Sequence, residues 1–126
     1  MILIDTSIWI EFLKGNAKYF NDMAEYLAAG DVYSIEVIFS ELLQGARNDS
    51  EVNIILDYWD NINHRSEEHL WIEAGKISYK NNLFNKGVGI VDAMIIAFAK
   101  KYNLKVWTLD KKLLSILDKK YIFKVS

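Results

Sequence analysis

The chain of 126 residues has no cysteine, no proline and only two histidines. Without cysteine there is no disulfide, no thiolate metal site and no cysteine nucleophile. His64 and His69 are too few for a histidine-built zinc site, and both follow a predicted loop without an evident catalytic partner. Only oxygen ligands remain plentiful, on Asp and Glu. No apolar run approaches the roughly 20 residues of a membrane span, and the first residues lack the basic segment and small-residue cleavage site of a leader. A soluble, cytoplasmic protein without membrane attachment is expected. The formal net charge of -2 gives no global case for a polyanionic partner, but it is unevenly spread. Residues 1–99 carry 7 Lys+Arg against 15 Asp+Glu, whereas residues 100–126 carry 8 Lys against 2 Asp. These eight lysines either solvate exposed faces or form a footprint for a polyanion, and composition leaves both open.

The stretch MILIDTSIWIEFL organises the rest. Ile2, Leu3 and Ile4 form an apolar run too short for a helix, and a strand apolar on both faces belongs inside a parallel sheet covered by helices. Asp5 falls at its carboxyl end, the rim where sites form in open α/β sheets, and Ser7 is expected to cap the helix that follows. Gly15 ends that helix, and the spacing of Phe20, Met23, Ala24, Leu27 and Ala28 predicts a second over 17–29. A strand is expected at Val32–Ser34. A helix follows with Ile35, Ile38, Phe39, Leu42 and Leu43 on its apolar side and Glu41 among them. After the loop at Asn48–Ser50 comes a helix whose Ile54, Ile55, Tyr58 and Trp59 are either ordinary core or an exposed cluster wide enough for a partner. Asn61–Arg65 is a connector or short strand, and one long helix is expected from Ser66 to about Lys86. Ile90–Tyr102 is apolar almost all round, so it belongs at the centre, with Asp92 in its first turn. Lys105–Thr108 is a strand ending near Asp110, Lys111–Leu117 a short helix, and Tyr121–Val125 a last edge strand. The class is α/β, one domain over 1–126, with a mainly parallel sheet of four to five strands flanked by helices.

Four acids stand out: Asp5 and Asp110 past strand ends, Asp92 at a helix start, and Glu41 on what reads as the inner side of a helix. Each alone has an ordinary explanation as a cap or a turn, except Glu41, whose apolar neighbourhood offers no Lys or Arg. Right-handed crossovers return to the same rim, so the first strand, the Trp107 strand and the start of the Ile90 helix can converge. Two unit charges about 5 Å apart at an effective dielectric of about 20 repel by roughly 3 kcal/mol. Protons or cations must intervene, and with only oxygen ligands available a hard divalent cation, Mg2+ or Mn2+, is the more economical answer. Such a site serves phosphate chemistry, through a metal-activated water and neutralised phosphoryl oxygens.

The fragments Asp5-Thr6-Ser7, Ser40-Glu41-Leu42-Leu43-Gln44-Gly45-Ala46, Asp92-Ala93-Met94-Ile95-Ile96-Ala97 and Thr108-Leu109-Asp110, in this order, resemble PIN-domain ribonucleases, specifically VapC toxins of toxin-antitoxin pairs. The resemblance spans essentially the whole chain. It implies metal-dependent endoribonuclease cleavage to a 5'-phosphate and a 3'-hydroxyl, with Asp5, Glu41, Asp92 and Asp110 as catalytic residues holding Mg2+ or Mn2+. It implies supporting roles for Thr6 and Thr108 around the metal or its water. It also implies an RNA substrate, a homodimer and a cognate antitoxin that threads a segment into the acidic cleft. Leu113 stands where an aromatic residue is frequent in the family, and no proline precedes Asp92. A haloacid-dehalogenase-type phosphotransferase would need a second Asp where Ser7 stands. A non-catalytic PIN-like binding module and a DNA-directed nuclease are the alternatives, and the intact set of mutually repelling acids speaks against the former.

Overall fold

The computed structural model describes residues 1–125; Ser126, the end of the expected 1–126 domain, lies outside the described residues. Strand β1 is Ile2–Ile4, and all three of its side chains are buried. It is flanked by β2, Val32–Tyr33, and β3, Lys105–Trp107, in the order β2-β1-β3 with both pairings parallel. The register sets Leu3 between Tyr33 and Val106, and Ile4 beside Trp107. All three strands therefore end on one rim.

Among the described residues the sheet has three strands rather than the expected four to five. Where the others were expected, at Asn63 and Ile122, the chain makes only isolated parallel bridges, to Tyr33 and Val106. On one side the Asn63 amide turns onto the Gly30 and Val32 carbonyls, at 2.7 and 3.0 Å, and anchors a single residue. On the other, Lys119–Tyr121 forms a 3-10 turn capped by the Asp118 carboxylate, so the expected strand over Tyr121–Val125 keeps one backbone bond, from Phe123 N–H to the Val106 carbonyl.

Two helices, α1 (Thr6–Leu13) and α2 (Ala17–Ala28), follow β1, and α3 (Glu36–Gln44) and α4 (Asp49–Asn61) follow β2. Helix α1 packs on α2 and α3, and α3 on α4. Trp9 is fully buried in an aromatic cluster with Phe12, Phe39 and Tyr58, at ring separations of 5.1–6.0 Å. That packing draws in most of the α4 cluster, in line with its reading as ordinary core. Ile55 is buried and Tyr58 and Trp59 lie against Trp9 and Phe39, leaving Ile54 and its neighbour Leu56 exposed.

The long helix expected from Ser66 to Lys86 is shorter and interrupted. Helix α5 runs Leu70–Lys80, and a separate 3-10 turn follows at Phe84–Lys86. His69 and Asn82 adopt the left-handed conformation at its two ends, with φ of 62° and 56°. Glu67 serves elsewhere: its Oε2 accepts the Glu36 N–H at 3.0 Å, capping α3 across 31 residues of sequence. Burial pushes the Glu67 carboxyl up, against that hydrogen bond. Helix α6 (Ile90–Tyr102) is the spine, with Ala93–Ala99 all buried, and α5 packs along it. Helix α7, Lys111–Ile116, closes the order.

Candidate active site

Asp5 is the first residue past β1 and is almost wholly buried. Its carboxylate, rather than the Ser7 hydroxyl expected from sequence, occupies the cap position of α1, with Oδ1 accepting the Thr6 N–H at 2.8 Å. Oδ2 accepts the Thr108 hydroxyl at 2.6 Å and the Ser7 hydroxyl at 3.3 Å. Thr108 follows β3 directly, so a bond between residues 103 apart ties two neighbouring strand ends together.

The Thr108 hydroxyl also accepts the Asp110 N–H at 3.0 Å, and Asp110 Oδ1 caps α7 by accepting the Lys112 and Leu113 N–H groups at 2.9 and 3.2 Å. Asp110 therefore is a cap, as one reading of the sequence allowed, yet only one of its two oxygens is used. On the other side the Thr6 hydroxyl donates to Glu41 Oε1 at 3.0 Å. Glu41 is exposed, not buried on the inner side of α3. Its exposure and the Thr6 hydroxyl account for the absence of a Lys or Arg partner beside it. Ser7, read as a cap, has another role: besides donating to Asp5 it accepts the Leu109 N–H at 3.1 Å, pinning the loop after β3. A hydroxyl two residues past a strand-end acid is the signal by which it could have been found.

Asp92 stands in the first turn of α6, which carries no side-chain cap. Its carboxyl is pushed up to about 6, first by its partial burial and then by the charges of Asp110, Asp5 and Glu41. Asp92 thus feels the charge of all three other acids, although residues 5, 41, 92 and 110 come from four different segments. Thr6 and Thr108 stand between them as hydrogen-bonded spacers.

An ion for this site has only oxygen donors to choose from, which suits a hard divalent cation rather than zinc or copper. The raised Asp92 carboxyl fits such an ion, because a positive charge there would relieve the burden that now favours protonation. Among the described residues, no three Asp, Glu or His side chains stand close enough to form a ready metal cage. Like charges facing one another oppose that approach.

The PIN-domain family profile matches residues 2–119 of this chain. The chain belongs to the PIN-domain family. Among curated proteins this PIN domain is similar to ribonuclease VapC32 of Mycobacterium tuberculosis, in strains CDC 1551 / Oshkosh and H37Rv alike, at 29% identity over 115 residues, 90% of this chain and 87% of that one. Among solved structures the PIN domain shares its fold with a chain of the crystal structure of VapBC2 from Rickettsia felis bound to a DNA fragment from their promoter. The TM-score is 0.72 and the identity 18%, over 98% of each chain. No helix among the described residues is long and apolar enough to cross a membrane.

Proposed function

We propose that this PIN domain is a metal-dependent endoribonuclease, the cytoplasmic toxin of a VapBC-type toxin-antitoxin pair, in which Asp5, Glu41, Asp92 and Asp110 hold Mg2+ or Mn2+ and form the catalytic centre. The observation that carries this reading is the Asp92 carboxyl, raised first by its partial burial and then by three neighbouring carboxylates that a fold without a use for them would disperse. The similarity to a VapC ribonuclease over nine-tenths of the chain supports the nuclease and the toxin.

When bound, the ion supplies a water of lowered pKa and neutralises charge on the phosphoryl oxygens. The chain's own residues do the rest. Asp5 is oriented by three donors, which fix its carboxylate in place. Thr108 positions Asp5 and Asp110 through one hydroxyl. Thr6 holds Glu41 at the open side of the cleft, where substrate enters. Asp92, whose carboxyl is raised by burial and by its acidic neighbours, is a group that a nearby cation would relieve. Purified protein is expected to cut single-stranded RNA in Mg2+ or Mn2+ and to lose that activity in excess EDTA. Persistent cleavage under chelation would reject the metal role, and cleavage of single-stranded DNA alone would reject the RNA substrate.

A cognate antitoxin is the expected partner, as the VapBC2 neighbour supports. For a homodimer the best-suited surface is the groove of about 540 Å³ beside the end of α5, where Tyr79 is 90% and Phe84 84% exposed. Monomers seldom leave two such aromatic side chains open together with Ile90, which is 48% exposed on the same groove. Tyr79→Glu is expected to shift the purified chain from dimer to monomer in light scattering; an unchanged mass would place the interface elsewhere.

A further inference from the structure

We infer that single-stranded RNA runs from the acidic centre into the groove between the end of α5, α6 and α7, with its phosphates on Lys112, Lys86 and Lys100. The inference rests on the nuclease reading and assigns the path its substrate takes. The groove encloses about 290 Å³, and Lys86, Lys100, Asn81 and Tyr121 line it together with Asp118. That volume is at the small end of ligand sites, so it takes in one unit of a chain at a time rather than a duplex.

Three observations join the groove to the centre. The Lys112 N–H caps onto Asp110 at 2.9 Å, which fixes the start of α7 at the acids. The Lys112 ammonium lies over Gly87, where a side-chain carbon would meet it at 3.2 Å, next in sequence to Lys86, which lines the groove. Lys100, on the buried helix whose first turn holds Asp92, lies further along. None of the three lysines has a carboxylate within 4.0 Å among the described residues. The single acid in the groove, Asp118, already caps the turn after α7 by accepting the Lys120 N–H at 3.3 Å.

Unpaired ammonium groups spaced along a groove track a phosphate backbone, and the mixed polar and apolar lining receives unstacked sugars and bases. An arrangement of this kind also answers an electrostatic difficulty. Four carboxylates repel the polyanion they act upon, so the substrate needs positive charge next to the cut.

The test measures anisotropy of labelled oligouridylates in EDTA, about four and about twelve nucleotides long, across a range of salt. The paired substitution Lys86→Gln and Lys100→Gln is set against Lys14→Gln and Lys18→Gln, an equal loss of charge around the end of α1. Loss of the groove lysines is expected to weaken the longer RNA at least tenfold and to lower its salt slope by about 1.4, at about 0.7 per phosphate contact on a single strand. The shorter RNA is expected to change little, and the control pair to bind as wild type. All four lysines are exposed, so folding is not at stake. Equal weakening by both pairs, or none by either, overturns the path while wild-type cleavage of RNA stands. A wild-type chain that neither binds nor cuts RNA overturns the nuclease reading and the path with it.

Discussion

Asp92→Asn is expected to do two opposite things: cut RNA cleavage at least a hundredfold, and make the metal-free protein more stable at neutral pH. The first follows if Asp92 holds the ion, since a hundredfold corresponds to about 3 kcal/mol of transition-state stabilisation and metal sites supply several. The second follows from the direction of its shift. The folded carboxyl is pushed up to about 6, while the ordinary value is 3.8. Between these pH values the native state binds a proton that the unfolded chain does not, so stability from this group is complete below about 3.8 and is lost as pH rises through 6. Above 6 the wild type carries an unfavourable charge that asparagine lacks. Asp92 is only partly buried, so solvent screening trims the gain to about 1 kcal/mol, or about 4 °C in Tm. The difference in Tm between variant and wild type, recorded in EDTA, should be largest near pH 8 and vanish below about pH 4. Mg2+ should raise the wild-type Tm and leave the variant behind. A variant that melts at or below wild type at pH 8, or cleaves as well, would contradict this account of the site.

Thr108→Val should cost about tenfold to a hundredfold in cleavage, the usual range for a group that orients a metal ligand. Valine matches threonine in shape, so the packing stays. What disappears is the donor to Asp5 Oδ2 and the acceptor of the Asp110 N–H. Leaving buried partners unmatched costs about 1–3 kcal/mol, and the melting temperature should fall with it. Thr108→Ser restores the hydroxyl and is expected to return cleavage to within a few-fold of wild type. Structural support alone would lower the melting temperature without changing the Mg2+ concentration that half-saturates the rate. A positioning role raises that concentration in the valine variant and brings it back in the serine variant.

The sequence carried the centre of the fold because its signals there were strong and local. A three-residue apolar strand ending in an acid, and a helix apolar all round, each admit one placement, and β1 and α6 take it. Failures lie where competing partners decide. Glu41 falls at the border of the apolar stripe, about 60° round the helix from Ile38, and a linear pattern does not separate the border of a stripe from its middle. Ser66–Glu68 looks like a helix start, but Glu67 finds better use capping α3. The outer strands shrank to single bridges because Asn63 and Asp118 spend their side chains on nearby backbone. The contact of Asp5 with Thr108 spans 103 residues and no local pattern contains it.

The single bridges at Asn63 and Ile122 have a consequence for recognition. They occupy the outward backbone groups of β2 and β3, so neither flank of the sheet presents an open ladder to a foreign strand. On the toxin reading proposed above, a polypeptide inhibitor reads side chains on helices instead of borrowing main-chain pairing. Side chains can be exchanged one at a time, which lets near-identical scaffolds diverge until each accepts its own inhibitor and refuses its neighbour's.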